Sequence, residues 1–372
     1  MDTKKRNAGL LAFFFSGMCA MSSGIIVSML QERVGFDYST TGTLLALMNV
    51  GNLTAGFATG VLPAKLGTKR TVALLTVGYA AGYSLMGFSN LVILLMLGFF
   101  LLGVAKGCTI NMCTVLVGSN SANRTTGMNL MHGCYACGAL LCPFLITLAA
   151  KAGAPVPMLV LAVVGAALWG VFLYTDLNAA GKEKGKTDWS FLKSRRFWLL
   201  TGLIFCQNGA ETSVTSWMVT YFKGSGIITT EMSPYTVTVM WSATLIARLL
   251  IAFVLPIKDA PKAMIRMSVF CTAFYIALVQ AQSQLPALVL LFLFAFSMAG
   301  MNPTATAAAG RMTTPTSLGV MLPVASSGAI LMPWLIGQVA DRVSIGAGMA
   351  TNILPCVGLL IFSLRVKRLP QE

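Results

Sequence analysis

The chain has 372 residues, of which 56% are hydrophobic and only 10% charged, with a mean hydropathy of +0.78. That balance is too apolar for a water-soluble domain of this length. The net charge of +15 does not point to nucleic acid, because the basic residues are scattered between apolar runs and form no cluster on a soluble face.

Taken in chain order, the apolar runs predict twelve membrane-spanning helices, each long enough to cross a hydrocarbon core of about 30 Å. The first half carries spans at 8–30, 39–62, 71–88, 91–117, 126–150 and 157–174. The second carries spans at 197–222, 232–256, 263–282, 286–309, 316–340 and 346–366. The runs are continuous and rich in Leu, Met, Gly and Ala, which excludes the ten-residue alternation of a membrane β-barrel. Lys4-Lys5-Arg6 before the first run resembles the start of a signal sequence, but the run is too long for a cleaved segment, so it is read as the first helix. All nine cysteines lie within apolar runs and read as reduced packing thiols. Cys134 and Cys137 form a single C-x-x-C with no second pair, so no metal site is expected.

Lys and Arg distribute unevenly between alternate loops, and short basic loops stay cytoplasmic. With both termini inside, twenty of them fall on the cytoplasmic side and four, Arg33, Lys151, Lys223 and Arg342, fall outside, while Lys106 and Arg248 lie within spans. The polar stretch at 176–196 reads as a cytoplasmic linker between an N-terminal half, 1–175, and a C-terminal half, 197–372. An internal repeat supports two halves. Val61-Leu62-Pro63-Ala64-Lys65 matches Val254-Leu255-Pro256-Ile257-Lys258 at an offset of 193 residues. Gly138-Ala139-Leu140-Leu141-Cys142-Pro143 matches Gly328-Ala329-Ile330-Leu331-Met332-Pro333 at an offset of 190. The fold class expected is all-α, a parallel six-plus-six duplication.

The loop after the second span, Gly60 followed by Gly67-x-Lys69-Arg70, resembles the G-x-x-x-D-x-x-G-x-R/K motif of the major facilitator superfamily, with Ala64 where the motif has its acid. Within that superfamily, four stretches are similar to the fucose and glucose/galactose proton symporter branch. They are Asn129-Leu130-Met131-His132-Gly133 with Gly138-Ala139 and Pro143; Gly209-Ala210-Glu211 with Trp217 and Tyr221; Trp241 with Arg248-Leu249-Leu250; and Gly328-Ala329 with Pro333-Trp334. The resemblance implies two six-helix halves and symport of a sugar with protons. It also implies a carboxylate in the first span and another about a turn before an asparagine in the fourth. Here the first span has no acid, and Lys106-Gly107 precedes Asn111.

An ionisable side chain at the bilayer centre costs at least about 2.5 kcal/mol, so it faces a partner or a water-filled cavity. Glu211, Lys106 and Arg248 meet that description. Glu211 is the carboxylate set deep in a span, and it is assigned to proton coupling, since burial favours its neutral form and a nearby cation its charged form. Gln207, Asn208 and Thr215 lie about it at helical spacing and, with Lys106, Asn111, Trp241 and Asn302, make up the expected substrate-binding set. Lys106 serves either an anionic substrate or Glu211. Arg248 and His132 are assigned to gating or to the substrate, His132 through its near-neutral titration or simply as a packing residue. Asn302-Pro303 is expected either to break the tenth span and free backbone carbonyls near the midplane or simply to kink it for packing.

A zinc peptidase needs H-E-x-x-H, yet the chain has one histidine, and it has no G-x-x-x-x-G-K-[ST] loop. An enzyme is therefore not expected. The reading is a secondary active transporter working by alternating access, proton-coupled for a small polar solute such as a sugar, a sugar acid or another organic anion. The alternatives are a proton-coupled exporter of drugs or other hydrophobic compounds, or a channel or sensor. No cofactor is expected beyond protons as coupling ion, with sodium the alternative. The partners expected are the small-molecule substrate and the lipid bilayer, not nucleic acid, for a monomer in a bacterial inner membrane.

Overall fold

In the computed structural model the described residues are 2–122, 124–177, 189–255, 257–309 and 315–369. Among them the secondary structure is helical, and twelve helical rods follow one another. The first six are α1 (Thr3–Met21 and Ser23–Val34), α2 (Tyr38–Val61), α3 (Thr68–Thr76 and Gly78–Phe88), α4 (Val92–Asn120), α5 (Arg124–Ala150) and α6 (Val156–Tyr174). The second six are α7 (Arg195–Ser225), α8 (Thr236–Phe253), α9 (Ala260–Leu278), α10 (Gln284–Met298 and Met301–Ala309), α11 (Pro315–Arg342) and α12 (Ile345–Ala350 and Ile353–Lys367). Ten rods are long and apolar enough to cross a membrane. The other two are α7, which carries Gln207, Asn208 and Glu211, and α9, which opens with Lys262 and Arg266.

The chain's few acids explain several helix starts. Orphan N–H groups at a helix N-terminus need an acceptor, and Asp or Ser supplies one. Asp2 accepts from the amides of Lys4 and Lys5, Asp37 from Thr40 at 2.8 Å, and Asp259 from Lys262 at 2.9 Å. Ser194 and Ser344 do the same for α7 and α12. Gly35 and Gly226 close α1 and α7 at positive φ, 79° and 67°. Lys4-Lys5-Arg6 lies inside the first turns of α1, not ahead of it, and Lys5 pairs with Asp176 at 3.0 Å.

The chain divides into two compact units, Met1–Lys182 and Glu183–Glu372. In the first, α2 packs on α4, α1 on α5, α3 on α4 and α6, and α1 on α6. In the second, α8 packs on α10, α7 on α11, α9 on α10 and α12, and α7 on α12. Adding six to each label of the first set generates the second, so the duplication visible in short sequence matches extends to the packing of whole helices. One contact shows it at atomic scale. A Cβ on Gly138 of α5 would lie 2.1 Å from the carbonyl oxygen of Phe14 on α1, and a Cβ on Gly328 of α11 would lie 2.1 Å from that of Phe205 on α7. In lipid, helices gain from close van der Waals approach, and glycine permits it. Gly103 does the same between α4 and α2, where a Cβ would lie 1.7 Å from the Met48 carbonyl oxygen.

Four rods, α1, α3, α10 and α12, are interrupted, and two of the breaks have identifiable causes. The break in α1 is at Ser22, where the carbonyl of Cys19 accepts from Ser22 Oγ at 2.8 Å and from Tyr83 OH, a residue of α3. Hydroxyls that compete for a helix carbonyl bend the ladder. The break in α10 lies at Ala299–Gly300, one turn ahead of the predicted Asn302-Pro303 site. Proline lacks an N–H and its ring clashes with the carbonyl four residues back, here Ala299, so the disruption appears upstream of Pro303 itself.

Candidate functional site

Glu211 sits close to the midpoint of α7, a helix of 31 residues, and is half-buried. Gln207, one turn earlier, is 3% exposed and donates from Nε2 to Glu211 Oε2. Asn302, just past the break in α10, donates from Nδ2 to Gln207 Oε1 at 3.2 Å. Thr215, one turn after Glu211, donates to the Glu211 carbonyl at 2.8 Å and contacts Met240 Sδ of α8 at 3.4 Å. Asn352, fully buried where α12 is interrupted, donates to the carbonyl of Ala210 at 3.3 Å. Side chains from α7, α8, α10 and α12 thus converge on one stretch of α7. An apolar helix face would not hold such a set, since each polar group out of water must find a partner.

The structure therefore brings together Glu211, Gln207, Asn302 and Thr215. Asn208 is half-buried on α7. Trp241 lies buried on α8 at 7% exposure, and Thr244, a turn on, is buried and donates to the Met240 carbonyl at 3.0 Å. Arg248 continues that helix, half-buried, with its Nε buried and without a hydrogen-bond acceptor among the described residues. An apolar groove of about 260 Å³ lined by Val239, Leu288, Val289, Phe292 and Leu293 lies on α8 and α10, and none of these proposed site residues lines it.

In the first unit, Lys106 is half-buried on α4. Asn111 is exposed and donates from Nδ2 to Thr59 Oγ1 of α2 at 2.9 Å. Asn111 and Asn302 occupy corresponding places in α4 and α10, 191 residues apart, within the offsets of the sequence repeat. The two amides have different partners, a hydroxyl on α2 in one unit and an amide on α7 in the other. His132 is exposed on α5, its ring edge-on to Phe13 of α1 at 5.7 Å. Gln207 and Asn302 both belong to the substrate-binding set expected from sequence. The bond between them joins residues 95 apart and could be found only once α7 and α10 were known to be neighbours.

Two buried hydroxyl pairs, Ser16 with Tyr79 and Ser22 with Tyr83, lie outside the residues expected from sequence. Ser16 Oγ and Tyr79 OH lie 2.9 Å apart, and Ser22 Oγ lies within hydrogen-bond distance of Tyr83 OH. Tyrosine hydroxyls spaced four residues apart in α3, opposite serines in α1, were the available signal.

Solved structures of membrane transporters superpose on the whole chain. A single-substitution variant of the nucleoside transporter NupG matches with a TM-score of 0.79 and 12% identity, covering 98% of this chain and 99% of that one. NupG without the substitution gives 0.74 and 14%, with 99% of each chain covered. A bacterial homologue of the human lysosomal transporter Spinster, inward-facing and occupied, gives 0.73 and 11%, with 98% and 96% covered. At these identities the likeness concerns the fold. No curated protein matches the sequence. The family model described as Major Facilitator Superfamily matches residues 9–333, most of the described helices of both units. The chain belongs to the Major Facilitator Superfamily.

Proposed function

We propose that this superfamily member is a secondary active transporter that works by alternating access and couples proton movement to symport of a small polar solute. The observation that carries the reading is Glu211, a carboxylate halfway along the 31-residue helix α7, held by the amide of Gln207. A carboxylate in that position exchanges between charged and neutral forms at modest energetic cost only where water or substrate reaches it in turn. In the second unit the residues proposed to line the solute site are Gln207, Asn208, Thr215, Trp241 and Asn302, with Arg248 for gating or for an anionic group. In the first unit they are Lys106 and Asn111, with His132 in a gating or packing role. Lys106 favours sugar acids and other organic anions over neutral sugars. The protein is proposed to act as a monomer in a bacterial inner membrane with both termini cytoplasmic.

The test is a panel of sugars, sugar acids, carboxylates and amino acids, read by uptake into proteoliposomes and by ligand-induced thermal stabilisation at pH 5.5 and about pH 7.5. Nucleosides belong in the panel because the NupG structures are of a nucleoside transporter. Saturable uptake of one stereospecific polar solute, stimulated by an inward proton gradient, is the expected result. Stabilisation by several unrelated apolar cations would instead make the protein an exporter, and a non-saturating ionic current would make it a channel.

A further inference from the structure

Gln207 is buried, and both ends of its amide are in use: Nε2 donates to the Glu211 carboxylate and Oε1 accepts from Asn302 Nδ2. Gln207 is thereby held in place at both ends of its side chain. It joins Glu211 to Asn302, which lies two residues beyond Gly300, where α10 is interrupted. The segment Met301–Ala309 beyond that interruption is tied to α7 a second time, at its other end, where Arg196 Nη2 donates to the Ala308 carbonyl at 3.1 Å. It is therefore a short helix hinged at Ala299–Gly300 and pinned to α7 at two points, one of which leads directly to Glu211.

The chain of bonds has a sense. Asn302 donates to Gln207, and Gln207 donates to an acceptor that is a carboxylate. An ionised carboxylate only accepts, whereas a protonated one also donates. If the proton goes to Glu211 Oε2, its new O–H faces the Nε2 donor, so the Gln207 amide must turn over, and Asn302 must then present its oxygen instead of its nitrogen. If the proton goes to Oε1, the bond from Gln207 survives as a neutral pair of about half the strength of the charge-assisted one. Either outcome changes the pin that holds Met301–Ala309 on α7. We propose that Gln207 is a positioning residue that relays the protonation state of Glu211, through Asn302, to the hinged second segment of α10. The proposal rests on the reading of Glu211 as the group that takes up the proton.

Other ionisable groups lie on the elements packed against α7. They are Arg248 on α8, Asp341 and Arg342 at the end of α11, and Cys356, Arg365 and Lys367 on α12; the short helices Ser190–Lys193 and Ser233–Tyr235 add Lys193 and Tyr235. The helix α10 itself carries none.

The experiment uses the full chain in lipid nanodiscs without any solute. Protection factors of the amides at 301, 302 and 304–309 are followed by hydrogen exchange from pH 5 to 8, corrected for intrinsic rates, while the carboxyl stretch of Glu211 is followed by infrared difference spectroscopy against Glu211→Gln. The expected result is a roughly fivefold fall in protection as Glu211 protonates, the difference between a charged and a neutral hydrogen bond. Glu211→Gln and Gln207→Met are both expected to abolish that pH dependence, and Gln207→Met to leave the infrared signal of Glu211 titration present. Asn302→Ala, which cuts the other bond of the relay, gives the same loss and serves should Gln207→Met fail to fold. Unchanged pH dependence in either variant, or none in the wild type although Glu211 titrates, overturns the relay. Because the readout needs no transport, proton-driven uptake that survives in Glu211→Gln would defeat the coupling assignment and leave this result standing on its own.

Discussion

At Gly138 and Gly328 any side chain would meet the backbone carbonyl of the neighbouring helix at 2.1 Å, so neither site can accept even a methyl group without moving a helix. Gly138→Ala and Gly328→Ala should each destabilise the protein by about 1–3 kcal/mol, the usual cost of overpacking. Gly133→Ala on the same helix as Gly138, where nothing lies within 4 Å of a Cβ, should leave the melting temperature unchanged or raise it, since alanine favours helix by up to about 1 kcal/mol over glycine. Thermal unfolding in one detergent compares the three. The glycines at 138 and 328 were legible from sequence as members of a repeated pattern, but their role was not, because it depends on which backbone lies opposite. Glu211 was legible because an acid inside a long apolar run demands a reason. The bond from Asn302 to Gln207 was not, since it crosses between helices brought together only by the fold.

Among the elements, α10 shows most clearly how a local signal is displaced by its mechanism. The Asn302-Pro303 pair pointed to a break, and the break falls at Ala299–Gly300 because the proline acts on the carbonyl four residues earlier. Pro303→Ala should restore that bond, and hydrogen exchange should then slow at the amides of residues 299–302. Arg196→Ala removes a charged donor from the C-terminal end of Met301–Ala309 and should loosen that segment by about 1.5–3 kcal/mol at most, read as a local rise in exchange. At the start of α9, the backbone N–H and then the ammonium of Lys262 hold the Asp259 carboxyl below its ordinary pKa. Its capping contribution is therefore present above the ordinary carboxylate range and is lost as pH falls through the lowered value. Carbon NMR of Asp259 in nanodiscs should show a midpoint below that of an unstructured aspartate, and Lys262→Ala should move it upward. The kink in α1 had no sequence signal of comparable force, because the hydroxyl that competes for the Cys19 carbonyl comes from Tyr83 on another helix.

At the scale of the molecule, the pattern of apolar runs sufficed for twelve spans, and the two short repeats sufficed for a duplication that the helix packing of the two units reproduces. The runs for α7 and α9 were the least apolar, and α7 is the helix that carries Glu211, so the weakest hydropathy signal marked the richest chemistry. The distribution of Lys and Arg predicts an orientation as well. A reporter active only in the cytoplasm, fused after Glu372, should be active, and one fused into the loop at Lys151 should be silent. The central claim is that Glu211 couples protons to transport, and it is tested most directly by comparing wild type with Glu211→Gln in proteoliposomes, using the solute identified in the uptake panel. The account predicts that accumulation driven by a pH gradient is lost in the variant while gradient-independent exchange of the solute persists; undiminished proton-driven accumulation in Glu211→Gln would contradict it.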